Sequence, residues 1–363
     1  LSELHYSSFQ RRPQEAAPAA FVFFMSGHRG PGYQQPLTMA PSNPSPNSPP
    51  YDTWLQWEVP LVCNLACAYC GTPSHEVRIS RKRPKNRALA SLTRYAGWVA
   101  KLQRMGPRAS LAVYRIRKLG VKGPMQPIDT KILLRTLERT GRTFRVGFSG
   151  GGEPFLVPNL VEACEALAQR HYVALNSNLV STRVRDFARK IPADRVVHFH
   201  ASMHIRELER LDLVGRFVEH YLLCKEAGLP IFAQEVAHPS MAGDAARYRR
   251  EFAERGVQLS FGAYNGVFEG RKYPQAYTDE QLEAFGLDRF QARETFSHRG
   301  KRCIAGVAFG AIGPDGTVRP CSQAGRQLGH VYSSIRFGKT PMACPFDQCT
   351  CPPHIHDSLF RTR

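Results

Sequence analysis

Two periods of apolar residues alternate along the middle of this chain. Apolar positions recurring every three to four residues predict helices over 129–140, 159–170, 182–191, 207–227 and 243–255. Each is followed by a short run rich in β-branched and aromatic residues, predicting strands over 144–149, 172–176, 196–203, 230–236 and 257–263. An earlier run over 54–62 predicts a first strand. Six strand–helix units in strict alternation imply an α/β fold with a parallel sheet, curled into a partial (β/α)6 TIM-like barrel. No repeat of solenoid type is visible.

The segment 196–204 refines this picture. Its period of two puts His198, His200, Ser202 and His204 on one face, and Val197, Phe199, Ala201 and Met203 on the other. The apolar face suits packing on helices. Three histidines and a serine facing a barrel interior make a polar cavity, the alternative being structural histidines held by hydrogen bonds. Glu235, on the fifth strand, either faces a substrate or pairs with an arginine. Cys164 and Cys224 fall inside helical patterns among apolar residues and read as small buried hydrophobes.

The flanks differ from the alternating body. Residues 1–52 include Pro-Ser-Asn-Pro-Ser-Pro-Asn-Ser-Pro-Pro at 41–50, a composition that cannot bury enough apolar surface to offset ordering, so a disordered leader is expected. Residues 71–127 form an insertion with two short basic helices predicted over 88–105 and 110–119. The barrel is expected over 53–270 and a small cysteine-rich extension over 271–363. In the extension, two short strands are expected around Pro314-Asp315-Gly316.

Of the 363 residues 42% are apolar, enough for a substantial core, and no run approaches the ~20 residues of a membrane span. Arg11-Arg12 precedes an apolar patch at 19–25 that is shorter than a signal core, with Glu15 in its approach. A leader and a cytoplasmic protein are therefore expected, with Met39 a plausible start. The net charge of +19 is concentrated: fourteen Lys and Arg and no Asp or Glu lie between Arg78 and Lys122. Residues 78–122 thus suit a polyanionic partner such as nucleic acid, or an acidic substrate, unless they form only a solvated basic face.

Ten cysteines in tight local groups point to metal binding in a reducing compartment rather than to a disulfide framework. Cys63, Cys67 and Cys70 follow the first strand as C-x3-C-x2-C. Three thiolates spaced this way suit three irons of a cubane cluster and leave a fourth iron open, whereas a ferredoxin closes its cluster with a fourth cysteine. Structural zinc sites more often pair C-x2-C units with a distant second pair, and zinc stays as the alternative. After the second strand comes Gly150-Gly151-Gly152-Glu153-Pro154, where consecutive glycines let a ligand approach the backbone.

These two motifs, in this order, resemble the radical S-adenosylmethionine (SAM) enzymes. The family carries C-x3-C-x-aromatic-C, with Tyr69 at the aromatic position, followed by a G-G-E-P motif. The resemblance implies a [4Fe-4S] cluster on Cys63, Cys67 and Cys70, with SAM chelating the open iron. It implies that Gly151, Gly152 and Glu153 hold the SAM amino group, and that Ser177, Asn178 and Ser202 lie near its ribose or carboxylate. Cys303-x12-Gly316-x4-Cys321 resembles the start of SPASM and twitch extensions. This implies a second, auxiliary [4Fe-4S] cluster on Cys303, Cys321, Cys349 and Cys351, with Cys344 the rival for one place. A zinc site including His354 and His356 is the alternative there.

The implied activity is reductive cleavage of SAM to a 5′-deoxyadenosyl radical that abstracts hydrogen from a peptide or small-metabolite substrate. Oxidation, epimerisation or crosslinking would follow, and a reductant such as flavodoxin or ferredoxin would supply the electron. Two other readings stand beside it: a radical SAM protein acting on RNA through its basic insertion, and a non-catalytic metal-binding regulator.

Overall fold

The computed structural model describes residues 50–59, 63–70, 127–288 and 298–347. The leader through residue 49, both predicted helices of the insertion, and Cys349, Cys351, His354 and His356 lie outside the described residues. Six strands form the frame: β1 (Thr53–Glu58), β2 (Phe144–Ser149), β3 (Tyr172–Ser177), β4 (Val196–Met203), β5 (Ile231–Ala237) and β6 (Leu259–Ala263). They pair in parallel, each with the next, in sequence order. The crossovers carry α1 (Thr130–Glu138), α2 (Leu160–Ala168), α3 (Arg183–Lys190), α4 (Ile205–Arg210), α5 (Val214–Glu226) and α6 (Ala245–Glu254). β1 and β6 do not pair with each other, so the barrel is partial, as the alternating pattern implied.

The strand pleat separates two environments. Leu55, Phe148, Leu175 and Phe199 point to the helices and are fully buried, with Leu133, Leu137, Phe187 and Phe217 packed from the helical layer. Phe199 meets Phe187 edge-on, ring centroids 5.4 Å apart, and Phe155 at 6.1 Å. The alternate residues line a concave inner face. There the Arg145 guanidinium lies 3.5 Å over the Trp54 ring and donates to His198 Nδ1 at 2.9 Å. That bond runs from β2 to β4 past β3, across the inner face.

Two departures from the sequence pattern have local causes. The helix expected over 207–227 is two helices, because Asp212 takes a left-handed conformation (φ 55°) between α4 and α5. Asp tolerates that region better than most residues, since its short side chain bonds locally. The extension adds to the barrel sheet itself. β10 (Phe309–Ile312) pairs in parallel with the free edge of β1, Trp54 opposite Phe309 and Trp57 opposite Ile312. β11 (Thr317–Arg319), β12 (Gly329–His330) and β13 (Ser334–Ile335) continue antiparallel, giving a ten-stranded sheet. The turn between β10 and β11 is the expected Pro-Asp-Gly, with Gly316 at φ 84° and Asp315 accepting from Thr317 N at 3.0 Å. Separately, β9 (Arg302–Cys303) pairs with β14 (Met342–Ala343), and β7 (Gly266–Phe268) with β8 (Arg271–Tyr273). Among the described residues no helix is long and apolar enough to cross a membrane.

Candidate active site at the mouth of the barrel

The carboxyl ends of β1 to β5 bring the two sequence motifs together. Cys63, Cys67 and Cys70 lie on the loop after β1, Cys67 buried and the other two half-buried. The loop is held from below by side chains far away in sequence. Ala66 N donates to Glu207 Oε1 at 2.9 Å, and Arg210 bonds both oxygens of the same carboxylate, holding it below its ordinary pKa. The Tyr69 hydroxyl lies 2.9 Å from His204 Nδ1 and donates to Glu235 Oε1 at 3.0 Å, while its ring stacks near His238. Glu235 also accepts from Ile205 N and Val236 N, and burial pushes its carboxyl up to about 8. Glu235 therefore neither lines the inner face nor pairs with an arginine: it tethers the cysteine loop.

Without a metal the thiols are held neutral, although donors already reach one of them. Cys63 Sγ accepts from Leu65 N at 3.4 Å, and Asn178 Nδ2 lies 3.8 Å away. Burial pushes Cys63 up to about 12, and Cys67 higher still, with each of the other two thiols near enough to raise Cys67 further. Among the described residues no three His, Cys, Asp or Glu side chains are placed to hold a single metal ion. A cubane does not need them to be, since its ligands reach separate irons.

Beside the loop stands Glu153, 2% exposed, capping the turn Pro154–Leu156. Its Oε1 accepts from Phe155 N at 3.0 Å and Ser177 Oγ at 2.8 Å, and its Oε2 accepts from Asn178 N at 2.8 Å. A carboxylate offers about four lone-pair sites, so one remains, on Oε2. Burial pushes the carboxyl up to about 7 against the pull of those three donors. An arriving ammonium would both fill the last site and hold the carboxylate ionised. Asn178 closes the circuit, donating from Nδ2 to Asn64 Oδ1 at 2.7 Å. Gly150 takes φ 91°, and a Cβ there would come within 3.0 Å of Glu58 Cγ, so only glycine fits the turn that presents Gly151 and Gly152.

The structure therefore gathers Cys63, Cys67, Cys70, Tyr69, Gly151, Gly152, Glu153, Ser177 and Asn178 at one end of the sheet. The Ser177 hydroxyl is buried, giving its proton to Glu153 and accepting from Leu179 N. Ser202 is half-buried on the inner face of β4 opposite Gln234, and His204 stands just beyond the strand. Asn64, Glu207 and His238 are members the sequence pattern missed; each acts through a contact that no local spacing encodes.

A second cysteine group forms in the extension. Cys303, Cys321 and Cys344 pack in one small cluster with Ala305, Phe309 and Ala311. Cys344 is brought to Cys303 by the β9–β14 pairing and by its N–H bonding Lys301 O at 2.9 Å. Cys303 Sγ accepts from Ala305 N at 3.4 Å, the same two-residue arrangement as at Cys63.

No protein-family model matches the chain, and no curated protein matches it. Solved structures similar to it include native anSMEcpe with bound AdoMet, 16% identical, covering 78% of each chain with a TM-score of 0.45. Another is Streptococcus suis SuiB bound to S-adenosylmethionine, 14% identical, covering 77% of this chain and 63% of that one, with a TM-score of 0.43. BtrN in complex with AdoMet and 2-DOIA is 12% identical, covering 77% and 78%, with a TM-score of 0.30. Likeness this remote assigns neither an activity nor a ligand.

Proposed function

We propose that this chain is a radical SAM enzyme with one auxiliary iron–sulfur cluster, acting on a peptide or small metabolite. The observation that carries it is the junction of the two motifs through Asn64, Asn178 and Glu153, which sets a three-thiol loop beside a buried carboxylate with one unfilled acceptor site. Thiols with backbone N–H donors and that carboxylate fit the chemistry of a cluster and an aminoacyl ligand. Cys63, Cys67 and Cys70 would hold the [4Fe-4S] cluster, and Glu153 with the Gly151–Gly152 backbone would hold the SAM amino group. Held there, the cluster and SAM would supply reductive one-electron cleavage and hydrogen-atom abstraction from the substrate.

The chain's own residues orient and shield. Tyr69 is fixed by Glu235 and His204, so the loop carrying the thiols has one position relative to β4 and β5. Ser177 and the Asn178 N–H fix the rotamer of Glu153. Four of the five cysteines would hold the auxiliary cluster: Cys303 and Cys321 with two of Cys344, Cys349 and Cys351, the packing of Cys344 against Cys303 favouring it for one place and zinc being the competing metal. A flavodoxin- or ferredoxin-type donor would supply the electron.

Iron per chain after anaerobic reconstitution tests this reading, wild type against a variant with Cys63, Cys67 and Cys70 all changed to Ala. About eight irons falling to roughly four is expected, with 5′-deoxyadenosine formed from SAM and a reductant only by the wild type. Equal iron in both proteins, or no 5′-deoxyadenosine from the wild type, would overturn it.

A further inference from the structure

His200 is an anomaly on the inner face of the barrel. It is 5% exposed, yet neither ring nitrogen meets a hydrogen-bond partner among the described residues. Its ring lies flat on Phe232, centroids 4.9 Å apart and planes within 6°. Phe199, its neighbour in the strand, faces the helices, so His200 faces the opposite way, into the barrel. Burial keeps the imidazole neutral, pushing its pKa down to about 3, so one nitrogen is a donor and the other an acceptor. A Phe would fill this place against Phe232 without burying two unsatisfied nitrogens. Such violations of folding economy collect where a ligand completes them.

The charge around it narrows the ligand. Arg145, 4% exposed, is a permanent cation on the same inner face, lower in the barrel. Because a guanidinium only donates, the imidazole edge of His198 meets it as acceptor, with Nδ1 2.9 Å and Nε2 3.4 Å from the same Arg145 nitrogen. His198 and His200 share a face two residues apart, so two imidazoles and a guanidinium succeed one another along the wall. Other polar residues in register include Gln56, Ser149, Asn176, Ser202, Gln234 and Ser260. The one inner-face carboxylate among the described strand residues is Glu58, at the rim of β1 within the field of Arg319.

We propose that His200, with His198 beside it and Arg145 beneath, anchors a carboxylate group of the substrate inside the barrel. His200 is a positioning residue: it holds the substrate below the mouth and takes no part in bond breaking. The proposal deepens the radical SAM reading and rests on it only in taking the mouth above as the place of reaction.

The test uses the full-length, anaerobically reconstituted protein labelled with 15N-histidine, titrated with sodium acetate as probe, with acetamide and sodium chloride as controls. The resonance lost in His200→Gln identifies His200. Acetate is expected to shift it saturably, while acetamide and chloride leave it in place. The His200→Phe variant, at neutral pH, is expected to melt at the wild-type temperature or about 1–2 °C above it, the shift that ~1 kcal/mol produces at ~2.1 cal/mol/K per residue in a chain of 363 residues. An unmoved resonance overturns the proposal, and an equal shift with acetamide overturns the carboxylate. A Phe variant melting clearly below wild type would make His200 a structural residue fed by an ordered water. Iron content of the same preparations reports separately on the cysteine loop, so loss of the anchor and loss of the cluster reading are distinguishable.

Discussion

His200 should also make the fold acid-labile by a calculable amount. An unperturbed imidazole titrates near ~6.5, whereas His200 in the folded chain is held down to about 3. The folded chain therefore binds fewer protons than the unfolded chain throughout that window. The stabilisation is complete above ~6.5 and is lost progressively as pH falls towards 3. Between pH 7 and pH 5 the chain crosses about one and a half units of the window, at ~1.4 kcal/mol each, so about 2 kcal/mol should disappear through this one group. His204, held down to about 4, loses stability in the same range, and so do His171, His220 and His238, all lowered chiefly by burial. The His200→Phe variant keeps those groups, so a double difference removes them. Urea unfolding followed by tryptophan fluorescence at pH 7 and pH 5, for wild type and variant, gives four stabilities. The wild type is expected to lose about 2 kcal/mol more than the variant on acidification. Equal losses would refute the reasoning, since they would mean that His200 finds a partner or water in solution and titrates normally.

Three further outcomes follow from the site. Glu153→Ala strands the Phe155 and Asn178 N–H groups and the Ser177 hydroxyl and should cost about 2–4 kcal/mol in urea unfolding, with loss of SAM binding by calorimetry. Tyr69→Phe removes the bonds to His204 and Glu235 while keeping the ring; the iron of the Cys63 loop should become more readily removed by chelator, at a stability cost of ~1–2 kcal/mol. Cys344→Ser should lower reconstituted iron by roughly four per chain, because Cys344 packs with Cys303 and Cys321; unchanged iron would return that ligand place to Cys349 or Cys351.

The barrel was legible because its signals are local. Period-two and period-3.6 segments alternate between Asp129 and Ala263, and every expected strand there is present within about two residues. The alternation in 196–203 likewise sorted Phe199 outward and His200 inward. The break at Asp212 was hidden, since the apolar spacing runs straight through it and a single left-handed residue leaves no periodic trace. The tethers of the cysteine loop were hidden for another reason. Glu207 and Glu235 lie 141 and 166 residues from their partners Ala66 and Tyr69, and only the closure of parallel strands brings them near. Glu153 was legible as a site residue from its glycines, but its three donors are products of the fold.

The pairing of β10 with β1 carries a consequence for how the molecule is made. β1 bears the loop of Cys63, Cys67 and Cys70, and its outer edge stays uncovered until Phe309 docks opposite Trp54, some 255 positions later. During synthesis the strand leading to the thiols has a row of unsatisfied amides and carbonyls exposed for most of elongation, which invites pairing with other chains. A chain stopped before β10 would keep that edge for good. Completion of the C-terminal segment is thus the event that seals the sheet, and it gives the cell a window in which β1 is open to chaperones.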